Sequence, residues 1–295
     1  MDIVITYVDG RDPEWQADFA SCVGKKALAK RYRDWGTLPY LFRGIDECMP
    51  FIENVFLVVA RESQVPAWVD RERVRVVLHS DFIPEAYLPT FNSTAIEMFM
   101  HKIEGLAEEF VYFNDDFFPL MPCQPTDFFR DGRAAVSMAY HMCTMRNLFR
   151  VHTKRSDRLA RKAAGVKRLF CYVRPQHTCA AMLRSACAEV FDLCKEEILS
   201  SVSPLRTRQN YNQYLFTDYA YFTGRTFRQR ISNQHLSLSI ANPEVLAKAI
   251  AHPTRKIACI NDVEMSEERF VRLHQAMHEA FEARFPNKSK FEKLS

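Results

Sequence analysis

Short β-branched runs alternate with amphipathic stretches through the first 120 or so residues, and this pattern constrains the chain most. The runs are Asp2 to Val8, Val55 to Ala60, Val74 to Leu78 and Val111 to Phe113. Each reads as a strand buried on both faces. Helical periodicity is expected over Glu14 to Ala29, Leu38 to Cys48 and Thr94 to Glu109. In the last, Ile96, Phe99, Ile103, Leu106 and Phe110 form one stripe, with Asn92 or Ser93 as cap. Such alternation predicts an α/β fold: a mostly parallel, Rossmann-like sheet flanked by helices. Ligands in such sheets bind beyond the carboxyl ends of the strands. Asp9, His79, Asp81, Asp115 and Asp116 all follow predicted strand ends, so they are expected on one rim.

The most informative of these ends is "VYFNDDFF", Val111 to Phe118. Two adjacent carboxylates beside so much apolar surface repel each other and lose hydration. A divalent cation such as Mg²⁺ or Mn²⁺ would offset both costs. The plainer reading has one Asp capping a turn and the other solvated. Asn261-Asp262 repeats the pattern after a short strand, Ile257 to Ile260. Asp9-Gly10 alone reads as an ordinary turn. His177 reads as a phosphate contact or proton carrier, or as a surface residue before a helix. Arg31, Arg33 and Asp34 fit a phosphate clamp or a solvated face equally well.

Beyond Phe113 a Pro- and Phe-rich loop is expected over Phe117 to Phe129, then a strand over Ala134 to Ala139. Helices are expected over Thr178 to Cys194, over Tyr211 to Thr223, and from Ser266 to about Phe285. Cys179, Cys187 and Cys194 would then share one helix face. From Arg150 to Arg174 nine basic residues meet a single acid, Asp157, while the whole chain carries only +4. That segment reads as a solvated helix or as a grip for a polyanion. The expected organisation is a catalytic core of 1–140 and 255–285, a mainly helical basic insertion at 141–254, and a flexible tail at 286–295.

A net charge of +4 is too small to indicate a nucleic-acid binder. Nine cysteines without a C-x-x-C pair suit a reducing compartment, so a cytoplasmic protein is expected. No run reaches the ~20 apolar residues a spanning helix needs, which leaves at most a peripheral hold on the inner face of a membrane.

In this order the pieces resemble the Stealth family of sugar-1-phosphate transferases, which includes bacterial capsule polymerases and the lysosomal-targeting GlcNAc-1-phosphotransferase. The resemblance rests on "DIVITYVDGRDPEW", on "RYRDWGTLPYLFRGIDECMPFIENVFLVV" through "LPTFNSTAIEMFMHKIEGLAEEFVYFNDDFF", on "PQHTCAAMLRS" and on "ACINDVE". It implies transfer of a hexose-1-phosphate, GlcNAc-1-phosphate above all, from a UDP-sugar to a sugar hydroxyl, with release of UMP. It implies Asp116 and Asp262 as metal ligands for Mg²⁺ or Mn²⁺, and Asp115 assisting or serving as base. His177 is the alternative base, and Arg31 and Arg33 clamp phosphates. Tyr7, Asp9, Gly10, Asp34, Asn92 and Ser93 would contact the donor. The acceptor would be an anionic oligosaccharide or polysaccharide, and no nucleic acid is expected. Two rival readings remain at this level: a metal-dependent glycosyltransferase releasing UDP, and a non-enzymatic polyanion-binding protein.

Overall fold

A computed structural model of the chain describes residues 1–24, 32–142, 147–167, 169–262 and 265–293. Its strands are β1 (Asp2–Thr6), β2 (Asn54–Val59), β3 (Val74–Leu78), β4 (Glu109–Asn114), β5 (Phe117–Pro119), β6 (Phe129–Arg130), β7 (Arg133–Val136), β8 (Met138–His141), β9 (Tyr172–Pro175), β10 (Ala180–Leu183), β11 (Thr226–Arg228), β12 (Asn233–Ser237) and β13 (Ile257–Asn261). The helices are α1 (Pro13–Val23), α2 (Leu38–Cys48), α3 (His79–Phe82), α4 (Ser93–Phe99), α5 (Leu148–Ala163), α6 (Arg184–Leu193), α7 (Lys195–Ser201), α8 (Tyr214–Phe222), α9 (Pro243–Ala251) and α10 (Glu267–Arg284).

The fold is mixed α/β, and the strand order of its largest sheet is β10-β4-β1-β2-β3. The chain first moves outward from β1 to β3, then returns to place β4 on the other side of β1.

The chain divides into two compact units. One holds residues 3–76, 113–124 and 231–295. Its strands β1 and β2 are apolar and buried, as continuous Val/Ile runs require. A second sheet in this unit has the order β12-β13-β5. In it β12 runs parallel to β13, and β13 runs antiparallel to β5 with Cys259 opposite Phe117. Helix α10 closes the unit through Phe281, whose ring lies 4.9 Å from Tyr40 and 4.8 Å from Phe118.

The expected loop from Phe117 is therefore a strand at its start, because Phe117 to Pro119 find a partner ladder in β13. The expected flexible tail is also corrected as far as residue 293. Glu292 is buried, receives Arg43 Nε at 3.0 Å and Nη2 at 3.2 Å, and bridges to Val69. Phe291 O accepts from Asp70 N at 2.9 Å. A charged residue in a polar tail reads as solvated only until its partner is known.

The other unit holds residues 1–2, 77–112 and 125–230. Here β10 pairs antiparallel with β4, Ala181 opposite Val111. That ladder corrects the expected helix from Thr178: pairing with β4 takes Ala180–Leu183, and only Arg184 onward is helical. Two glycines at positive φ end helices that periodicity would extend. Gly24 (φ 68°) closes α1 at Val23, and Gly105 (φ 72°) turns the chain into β4 after α4 and one 3₁₀ turn.

Helix α5 does not behave as a solvated basic helix. Lys154 and Arg161 are buried, and Arg161 Nε contacts both Asp157 oxygens at 3.1 Å. Arg155 lies over the Tyr211 ring at 4.8 Å, and Lys162 pairs with Glu197. Arg155, Arg161 and Lys162 thus find their partners within the unit.

Candidate active site

Strand β1 runs on into Tyr7, whose N–H reaches Val58 O at 3.0 Å. The chain then turns through Asp9-Gly10. Gln64, itself buried, holds that turn from both sides. Its Oε1 accepts from Asp9 N and its Nε2 donates to Asp9 O, each at 2.9 Å. Gly10 is required by close packing. Its N–H donates to Tyr32 O at 3.0 Å, and a Cβ there would lie 2.1 Å from that oxygen.

The Asp9 side chain accepts from Arg11 N at 2.9 Å, an Asx-type turn. Arg11 then spans two carboxylates, Asp9 Oδ1 at 3.2 Å and Asp34 Oδ2 at 2.9 Å. Asp34 is fixed in turn by Gly36 N at 2.9 Å. Arg11 was not singled out in the sequence. Its bridging role depends on Asp34, 23 positions away, and only the composition DGRD hinted at it.

The Asp115-Asp116 pair occupies the two-residue turn between β4 and β5. The turn is pinned from β13, because Ile260 N donates to Asp116 O at 2.8 Å. The Cys259 thiol lies 3.8 Å from Asp116 Oδ2. Asp116 Oδ1 is shut off from solvent and has no hydrogen-bond partner.

Desolvation pushes the Asp115 carboxyl up to about 8, with Asp116, Asp34 and Asp262 adding repulsion. Desolvation likewise raises Asp116 to about 6. At neutral pH the ligand-free pair therefore holds close to one proton. Tyr7 is buried in the same field. Desolvation first, then Asp34, Asp9 and Asp115, push its phenol far above the usual range, so it stays a neutral donor. The unit thus gathers Tyr7, Asp9, Asp34, Asp115, Asp116 and Asp262 around its strand ends. Asp116, Asp262 and Asp115 offer hard oxygen ligands, and the orphaned Asp116 Oδ1 is the kind of acceptor a divalent cation satisfies.

Other expected site residues are placed differently. Arg33 turns its guanidinium over the Phe270 ring at 4.0 Å and approaches Glu267 at 3.8 Å. Both contacts are with α10. Arg31 lies outside the described residues.

Asn92, Ser93, His177, His79 and Asp81 belong to the other unit. There Asn92 is fully buried: Oδ1 caps Thr94 N at 3.2 Å, and Nδ2 donates to Ser203 O at 3.0 Å. Helix α4 has only seven residues, and Ser93 Oγ accepts from Arg206 Nη2. The donor contact expected of Asn92 and Ser93 is thus replaced by internal bonding. Asp81 accepts from Leu78 N at 2.7 Å, and burial lowers the His79 imidazole to about 4. His177 Nδ1 lies 3.4 Å from Tyr214 OH, and its ring sits 5.7 Å from that of Phe149.

Residues 31–136, which include the Asp115-Asp116 turn, match Stealth protein CR2, conserved region 2. A receptor polysaccharide phosphotransferase of Streptococcus oralis, WefC, is 43% identical over 140 residues, 44% of this chain and 42% of that protein. A capsular polysaccharide phosphotransferase of Streptococcus pneumoniae, WcwK, is 39% identical with the same coverage. The match thus spans less than half the length of either relative. The exopolysaccharide phosphotransferase cps2G of Lactiplantibacillus plantarum is 29% identical over 99% of this chain and 96% of its own. Among solved structures, that of the galactosyltransferase LgtC with donor and acceptor sugar analogues superposes with a TM-score of 0.41 at 12% identity, covering 94% and 96% of the two chains.

Proposed function

We propose that this chain is a polysaccharide phosphotransferase acting in capsule or exopolysaccharide synthesis. In this reading it moves a hexose-1-phosphate, GlcNAc-1-phosphate first among the candidates, from a UDP-sugar to a hydroxyl of an anionic glycan. The observation that carries the proposal is the acidic turn Asp115-Asp116, with its orphaned oxygen, inside the Stealth conserved region. The phosphotransferase names of the similar proteins support it.

The acceptor oxygen forms a bond to the β-phosphorus as the bond from that phosphorus to the α–β bridging oxygen breaks. UMP leaves with that oxygen, and the sugar C1–O bond is untouched. Such transfers need positioning and charge neutralisation more than covalent catalysis. Asp116 and Asp262, with Asp115 assisting, would hold Mg²⁺ or Mn²⁺, which when bound would neutralise charge on the transferring phosphate. Tyr7 and the Asp9–Arg11–Asp34 bridge would orient the nucleotide, with Arg31 at its phosphates. Where Asp115 serves as base rather than as a ligand, its ionised form would accept the hydroxyl proton. His177 is the alternative acceptor of that proton.

The test is product identity. The protein is incubated with a panel of UDP-sugars, Mg²⁺ or Mn²⁺ and a capsule-type oligosaccharide, with Asp116→Asn alongside. Metal-dependent UMP release that the variant lacks is the expected result. UDP release would replace this reading with glycosyl transfer.

A further inference from the structure

Four large hydrophobic side chains with high exposure cluster along one short part of the chain. Tyr140 is 62% exposed, Met142 63%, Leu169 44% and Phe170 78%. The β8–β9 ladder explains their meeting. His141 stands opposite Tyr172, so Met142 and the 169–171 run leave the same end of the ladder. The first turn of α5 lies near that end too: burial first, then Arg174 and Arg150, lower the His141 imidazole. That turn adds Leu148 and Phe149, each 38% exposed. The remaining large exposed hydrophobics among the described residues are Leu193, Ile240, Val245 and Val271, outside this segment.

Charge along this segment is almost all of one sign. From Met138 to Arg174 the only acid is Asp157, which is buried against Arg161. Exposed Lys167 and the half-buried Arg150 and Arg174 border the apolar side chains.

We propose that this face docks onto an anionic lipid bilayer, with Met142, Leu169 and Phe170 entering the headgroup boundary and Lys167 and Arg174 lying over lipid phosphates. Apolar tips ringed by cations are the arrangement that interfacial binding uses. A soluble polyanion would satisfy the cations, but Met142 and Leu169 have nothing to offer sugar hydroxyls and would stay in water. A bilayer satisfies both groups.

The experiment is co-sedimentation of the full chain with vesicles of equal parts phosphatidylglycerol and phosphatidylcholine, and with phosphatidylcholine alone. Wild type is expected to pellet with the anionic vesicles and to be released by salt. Lys167→Gln with Arg174→Gln should reduce partitioning on the order of tenfold at low salt. Met142→Ser with Phe170→Ser should reduce it by a similar factor at every salt concentration, again on the order of tenfold. Thermal melts of both variants should match wild type, since the altered side chains lie at the surface. Wild type left in the supernatant, or an apolar double variant that pellets like wild type, overturns the proposal. So does binding of inorganic polyphosphate without binding of vesicles.

Discussion

Replacing Asp115 with Asn should stabilise the ligand-free protein while weakening its response to divalent cations. The Asp115 carboxyl has a folded-state value of about 8 against an ordinary 3.8. Its folded-state pKa is raised, so the folded state binds the extra proton. Its contribution to stability is intact below about pH 4 and is lost as pH climbs towards 8. At pH 7 the cost of carrying that proton is about 4 kcal/mol if burial were complete. The side chain keeps some solvent contact, which lowers the figure to about 2 kcal/mol. An amide of the same shape avoids that cost. In a chain of this size the gain corresponds to roughly 4–8 °C in Tm. The assay is thermal melting of both proteins in EDTA from pH 5 to 8.5, then with Mg²⁺ or Mn²⁺ added. Asp115→Asn should melt higher in EDTA, with the gap widening up to pH 8. Added cation should raise the Tm of wild type more than that of the variant. An Asn variant that melts below wild type in EDTA at pH 7.5 would refute the electrostatic reasoning.

Three further perturbations test other parts of the structure. Burial raises Glu97 to about 7, so stability should fall between about pH 4.5 and 7; Glu97→Gln, which can keep the bond from Gln213 N at 2.7 Å, should flatten that slope in urea melts. Gly10→Ala drives a methyl into Tyr32 and should cost about 1–3 kcal/mol in chemical denaturation, whereas a wild-type midpoint would mean the turn is free to open. Cutting the chain after residue 285 strips Arg43 of its bonds to Glu292, and should cost about 3 kcal/mol by the same assay.

The parts legible in the sequence were those in which local pattern and tertiary role agree. The α2 and β3 boundaries emerged unchanged, and the Ser266 cap of α10 is observed with Oγ accepting from Arg269 N at 3.3 Å. The acidic turn was visible because two carboxylates after a buried strand have few purposes. Where a partner lay far along the chain, the pattern misled. Ala180–Leu183 has helical composition, and only the neighbouring β4 makes it a strand. The basic residues of α5 looked solvated because their partners, such as Tyr211 and Glu197, are some way off in sequence. Asn92 looked available because its bond to Ser203 spans 111 positions. Arg11 escaped notice for the same reason, since one of its two carboxylates comes from beyond α1.

The β5–β13 ladder has a consequence for how this protein can be divided. Cys259 meets Asp116 across 143 positions of sequence, and the ladder that joins them also sets where Asp262 emerges. A fragment cut anywhere between residue 136 and β13 would retain the whole stretch that matches conserved region 2 and both carboxylates of its turn. It would lack the strand that pins that turn and the third carboxylate that follows it. Resemblance and competence therefore part company within this one chain: the segment that matches conserved region 2 is not the segment sufficient to assemble the acidic centre.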